Sequence, residues 1–117
     1  MKQELNDYAR LGHILEAASD VLAAYATLPD GKLPDGDFRY YAFIKAVEII
    51  GEAASRLTRE FRARHSDVDW PGIIRLRHIL VHDYHSVDEN RLFTIIRTQM
   101  PVLRQWVIDY LATHSEE

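Results

Sequence analysis

Apolar residues recur every three or four positions along most of this chain, a period that suits helices and not strands. From Leu5 the series runs Tyr8, Leu11, Leu15, Ala18, Leu22 and Tyr25. These positions share one face of an α-helix. A second series follows at Phe43, Val47, Ile50, Ala54, Leu57 and Phe61. It is backed by a polar face of Lys45, Glu48, Glu52, Arg56, Arg59 and Arg62, and it fades over Arg64-His65-Ser66-Asp67. No convincing strand pattern is found.

Turn residues divide the periodic stretches. Pro29-Asp30-Gly31 and Pro34-Asp35-Gly36 mark a loop, because Gly, Pro and Asp supply turn geometry. Asp37 is placed to cap the second helix. Asp69-Trp70-Pro71 reads as another start, with proline tolerated in a first turn, and a short third helix is expected from about Gly72 to Val81. Ser86 and Glu89 fit a capping box for a fourth helix, which Pro101 either kinks or restarts. The expected fold class is all-α, an antiparallel helical bundle of four to five helices. Two apolar residues, Ile44 and Ile49, fall off the main stripe and are candidates to face a partner subunit.

A chain of 117 residues fits one domain, residues 1–117. It contains no cysteine, which excludes disulfides and thiolate metal sites. No apolar run approaches the ~18 residues of a membrane span. Met1 to Arg10 lacks the apolar centre of a signal peptide, so the expectation is a cytoplasmic protein with no membrane contact. The formal net charge is -4, so any contact with nucleic acid must use a local basic patch.

Chemistry concentrates between the third and fourth helices. Arg75, Arg77, His78, His82, Asp83, Tyr84 and His85 crowd one short segment. The plain structural account is that cations near a helix C-terminus meet its partial negative charge. A metal account uses His78 and His82, four apart on one helical face, with Asp83 or His85 as third ligand; the glutamate of a zinc-hydrolase helix is missing, since Ile79 follows His78. A metal-free ribonuclease suits the residue types better. RNA brings its own 2′-hydroxyl nucleophile, histidine is a general acid and base near neutral pH, and arginine stabilises charge on phosphate oxygens. Tyr84 could stack a base or donate a hydrogen bond. No cofactor is needed. On a regular helix Arg77 and His82 would sit about 140° apart. Either the helix ends before His82, or a twofold dimer supplies the second half-site.

The segment Arg77-His78-Ile79-Leu80-Val81-His82-Asp83-Tyr84 resembles the Arg, four residues, His, any residue, Tyr signature of HEPN-superfamily toxins of the HepT type. Ile49-Ile50-Gly51-Glu52-Ala53-Ala54, Trp70-Pro71-Gly72-Ile73-Ile74, Ser86-Val87-Asp88 and Met100-Pro101-Val102-Leu103 are similar to other segments of that family. The resemblance covers about Ala42 to Trp106. It implies an all-α, HEPN-like homodimer, a metal-independent endoribonuclease with its active site at the dimer cleft. It further implies a toxin–antitoxin pair with a minimal nucleotidyltransferase as antitoxin. By resemblance Arg77 and His82 are catalytic, and Tyr84 is the tyrosine that the partner modifies with AMP. That modification would add bulk and negative charge where an RNA phosphate sits. His78 departs from the asparagine that most often follows the arginine in relatives, and is a candidate to hydrogen-bond RNA or to take over part of that asparagine's role.

Other residues have lesser parts. Glu52 is a candidate to orient Arg77 across the bundle, against an ordinary solvated glutamate. Asp83 could tune His82, against an exposed helix-end aspartate. Arg91, Arg97 and Arg104 form either a basic groove or a solvated face. Trp70, Trp106 and Phe61 are expected in the core, and Tyr40-Tyr41 in core, surface or interface. Two alternatives stay open: a non-catalytic partner and modification substrate of a nucleotidyltransferase, and, more distantly, a metal-dependent hydrolase.

Overall fold

The computed structural model describes residues 6–79 and 89–114. Helices form all the regular structure among them: α1 (Asp7–Ala26), α2 (Arg39–Ser55), α3 (Arg59–Arg64), α4 (Trp70–Arg75), α5 (Glu89–Thr98) and α6 (Met100–Thr113). A 3₁₀ turn, Leu76–His78, continues α4, and another, Pro29–Gly31, lies in the loop after α1. The fold is all-α, as the periodicity requires. No helix among the described residues is long and apolar enough to cross a membrane.

Side-chain caps open α1, α3 and α4. Asn6 starts α1 by accepting from the Ala9 N–H at 2.8 Å, satisfying one of the donors a first turn leaves open. The Asp37 carboxylate accepts from the Arg39 N–H at 2.9 Å and pairs with the Arg39 guanidinium at 2.8 Å. The side-chain and backbone hydrogen bonds from Arg39 lower the Asp37 pKa to about 2.

The second apolar stripe suggests one helix through Phe61, and there the structure differs. Helix α2 ends at Ser55, and Thr58 opens α3 by accepting from the Phe61 N–H at 3.1 Å. Thr58 also donates its own N–H and hydroxyl to the Asp7 carboxylate, both at 2.8 Å. This clamp turns the chain while keeping Leu57 and Phe61 in the core. The third helix begins at Trp70, before the expected Gly72, because Asp69 caps it through the Gly72 N–H at 3.1 Å. It tightens into the 3₁₀ turn at Leu76. Ser86, and so the expected capping box, lies outside the described residues. Pro101 restarts the helix: α6 opens at Met100 with the proline in its first turn.

The Asp7–Thr58 clamp joins the start of α1 to the end of α2. At the opposite end Tyr25 and Phe43 both meet the Phe93 ring edge-on, with centroids 5.1 and 5.5 Å away. Helices α1 and α2 are therefore antiparallel. Helix α6 also runs against α1: Arg104 donates to Ser19 at 2.7 Å, and Tyr110 reaches Phe61 near the clamp, 5.3 Å between centroids.

The core draws Leu11, Ile14 and Ala18 from α1, Val47, Ile50 and Ala54 from α2, and Leu92, Ile96, Met100 and Val107 from α5 and α6. No polar or charged residue among those described is buried. Ile44 belongs to this core and is closed to any partner, whereas Ile49 is 43% exposed.

Candidate active site

Backbone packing sets Arg77 in place. Gly51 of α2 faces the 3₁₀ turn so closely that a Cβ there would lie 2.5 Å from Arg77 N and 2.9 Å from Ile73 O. Glycine inside a helix costs about 0.5–1 kcal/mol relative to alanine. Here it lets the turn that carries Arg77 lie directly on α2.

The Arg77 side chain then meets two neighbours. Its Nη1 lies 3.8 Å from Glu52 Oε1, and its Nε donates to His78 Nε2 at 3.2 Å. An accepting Nε2 requires the imidazole tautomer with its proton on Nδ1. The other Glu52 oxygen accepts from Arg56 Nε at 3.1 Å, so one carboxylate stands between two guanidinium groups. Arg77 Nη2 has no hydrogen-bond partner among the described residues. Its side chain is 37% exposed. The arrangement is a braced, partly exposed guanidinium whose Nη2 is left to meet an anion such as a phosphate.

Arg77 closes one end of a groove of about 420 Å³ between α1 and α2. Arg10 and His13 line it from α1, and Lys45, Glu48, Glu52 and Arg56 from α2. His78, the next residue in the turn, lines a different groove of about 930 Å³, with Arg75, Asn90, Arg91 and Thr94. The 3₁₀ turn thus presents consecutive side chains to two surfaces.

Among the residues singled out from sequence, the structure brings Arg77, Glu52 and His78 together. His82, Asp83 and Tyr84 lie outside the described residues. The three arginines of the last helices share no groove. Arg91 lines the groove at His78, Arg97 donates to the Tyr25 hydroxyl at 3.0 Å, and Arg104 is held by Ser19. Phe61 and Trp70 are buried as expected, and Trp106 packs half-buried against the core. Tyr40 packs on the core, while Tyr41 is exposed beside Phe38.

Sequence reasoning missed Arg10 and His13 altogether and read Lys45 and Arg56 as a solvated face. One signal was available. Arg10 and His13 are three apart on α1, opposite the apolar stripe that includes Leu11, and so had to share a polar edge.

Comparison with known proteins bears out the family resemblance. The family model described as "Ribonuclease HepT-like" matches residues 14–109. Over 99 residues the chain is 33% identical to "Putative RNase MJ1380" of Methanocaldococcus jannaschii, covering 85% of this chain and 91% of that protein. It is 39% identical over 70 residues to "Putative RNase TTE0752" of Caldanaerobacter subterraneus, covering 60% of this chain and 62% of that one. With "Probable ribonuclease HepT" of Thermococcus cleftensis it shares 34% identity over 64 residues, 55% of this chain and 58% of the relative. In the last two cases the match spans less than two thirds of the relative. No solved structure matches the chain.

Proposed function

The chain belongs to the HepT-like ribonuclease family, and from that premise we propose that it is a metal-independent endoribonuclease, the toxin of a pair whose antitoxin is a minimal nucleotidyltransferase. The observation that carries this reading is the braced Arg77 fork at the mouth of a groove with more cations than carboxylates.

In the proposed reaction a ribose 2′-oxygen attacks the adjacent phosphorus. His82 takes the 2′-hydroxyl proton and a proton is returned to the departing 5′-oxygen, leaving a 2′,3′-cyclic phosphate and a 5′-hydroxyl. Arg77 stabilises the negative charge that builds on the phosphorane oxygens. Glu52 and His78 act on the reaction only through Arg77, holding its Nη1 edge and its Nε. The residue after the signature arginine is His78 here, and its neutral tautomer can still accept from Arg77. We further propose that the protein works as a homodimer with two such segments facing across the twofold axis. The partner nucleotidyltransferase silences it by transferring AMP to the Tyr84 oxygen with release of pyrophosphate.

The test is RNA cleavage by the purified protein in chelator, beside Arg77→Ala and His82→Ala. Cleavage that persists in chelator and falls about 100-fold or more in both variants supports the reading, as expected for loss of a charge-stabilising or proton-transferring group. A folded, AMP-free protein that cleaves no RNA would point instead to a non-catalytic partner of the nucleotidyltransferase.

A further inference from the structure

We propose that the groove beside Arg77 is a backbone track for single-stranded RNA, in which Arg10 and Lys45 each hold a phosphate flanking the one at Arg77. The proposal rests on the ribonuclease reading above.

The first argument is charge. The whole chain carries -4, yet the groove sets Arg10, Lys45, Arg56 and Arg77 against only Glu48 and Glu52. Two positive charges in excess mark this groove as the local basic patch that an acidic protein needs to bind a polyanion.

The second argument is which cations are already engaged. Glu52 holds Arg56 at 3.1 Å and lies near Arg77. Among the described residues the Arg10 side chain has no ion pair or hydrogen bond, and its Nε is buried without a partner. Lys45 reaches Glu48 only at 3.9 Å, with its side chain 71% exposed. A pair that loose and that wet neutralises little. The uncompensated charge of the groove therefore sits on Arg10 and Lys45, away from the residues that brace Arg77.

The third argument is shape. Lys45 and Arg56 are eleven residues apart on α2, about 16 Å along its axis, room for more than one nucleotide. The exposed flank of Ile49, with Ala53 beside it, supplies an apolar surface between the cations for a ribose or base. Phosphate contacts of this kind position a strand without reading its sequence.

The experiment uses the full chain with His82→Ala, so that RNA survives, and a short fluorescent single-stranded RNA titrated at several salt concentrations. Arg10→Ala and Lys45→Ala are each expected to weaken binding roughly threefold and to flatten the slope of log affinity against log salt by about 0.7. Lys45→Glu, at a side chain that touches no core, is expected to weaken it further. Arg59→Ala, which lines a separate groove, is expected to change nothing. A folded Arg10→Ala/Lys45→Glu double variant with the affinity and salt slope of its parent would overturn the track. If that double variant also cleaves RNA with normal KM in the His82 background, only the track fails. If the His82→Ala chain binds no RNA and the chain with His82 intact cleaves none, the ribonuclease reading fails and the track falls with it.

Discussion

Around Phe61 the chain stacks rings, and around Arg77 it gathers charge. The Phe61 ring lies within 4.5 to 6.2 Å of His65, Tyr110, Trp70 and Trp106, centroid to centroid, and three of these four contacts are edge-on. Both indole N–H groups are satisfied, Trp70 by the His65 carbonyl at 2.9 Å and Trp106 by Asp67 at 3.0 Å. At Arg77 the contacts are longer, partly exposed and ionic. Buried aromatic pairs contribute about 0.5–1.5 kcal/mol beyond the area they cover. Exposed ion pairs contribute ~0–1 kcal/mol. One region of the molecule thus holds the fold and the other is free to be chosen for chemistry. Substitutions at the two should fail differently, in stability at the first and in binding or rate at the second.

The largest effect should come from Phe61→Ala. Removing a ring that four aromatic or imidazole neighbours share leaves a cavity, and a loss of about 3–5 kcal/mol is expected. Denaturant unfolding measures it. A loss below 1 kcal/mol would show that the aromatic end does not carry the fold, and the contrast would collapse.

Gly51→Ala probes the seam between the two regions. The added methyl meets Arg77 N and Ile73 O, both backbone atoms that cannot swing aside. The helix gains what glycine had cost it, yet overpacking of this kind costs about 1–3 kcal/mol. A net loss of stability together with weaker RNA cleavage is expected. A variant more stable than its parent, with cleavage intact, would mean the turn can shift and that its close seating does not position Arg77.

Glu52→Gln should sharpen the comparison from the charged side. It removes the anionic brace of Arg77 and one of two carboxylates in the groove. Unfolding should change by less than about 1 kcal/mol. In cleavage kinetics kcat should fall severalfold while KM also falls, because the groove repels phosphate less. A merely solvated glutamate would leave kcat unmoved.

The smallest effect belongs to Asp37. Hydrogen bonds from Arg39 hold its carboxyl near 2, below the ~3.9 of an unfolded aspartate. A lowered folded-state pKa contributes stability that is present above the unfolded value and is lost as pH falls through the folded one. Asp37→Asn should therefore flatten a slight decline in unfolding midpoint between about pH 4 and pH 2 and do nothing near neutrality. The pair lies at the surface, with the Arg39 side chain half exposed, so solvent screening keeps the slope shallow.

The cap at Asp69, a helix start beside Asp37, the interruption at Pro101 and the burial of Phe61 and Trp70 were legible, although the cap position of the second helix falls on Phe38, one residue after Asp37. The break at Thr58 was not. The stripe runs unbroken through Leu57 to Phe61, and the chain turns only because Asp7, fifty-one residues away, accepts both Thr58 donors. Ile44 looked like a partner contact because a stripe drawn for one neighbour is too narrow for a helix packed between several, and it is fully buried. His65, placed where the stripe fades, sits among three aromatic rings for the same reason. In the site, the sequence pointed to Arg77, His78 and the Glu52 brace, and left Arg10 and Lys45 as ordinary surface cations.

The sequence by itself therefore determined the helical class, the Asp69 cap and the segment in which titratable side chains concentrate, since all of these are written within a few residues of one another. Only the tertiary structure decided which distant charges share a groove. Arg10, Lys45 and Arg77 lie on three separate elements, and nothing in local order relates them. Their meeting follows from the antiparallel packing of α1 on α2 and from the absence of a side chain at Gly51, which lets the turn bearing Arg77 settle against both.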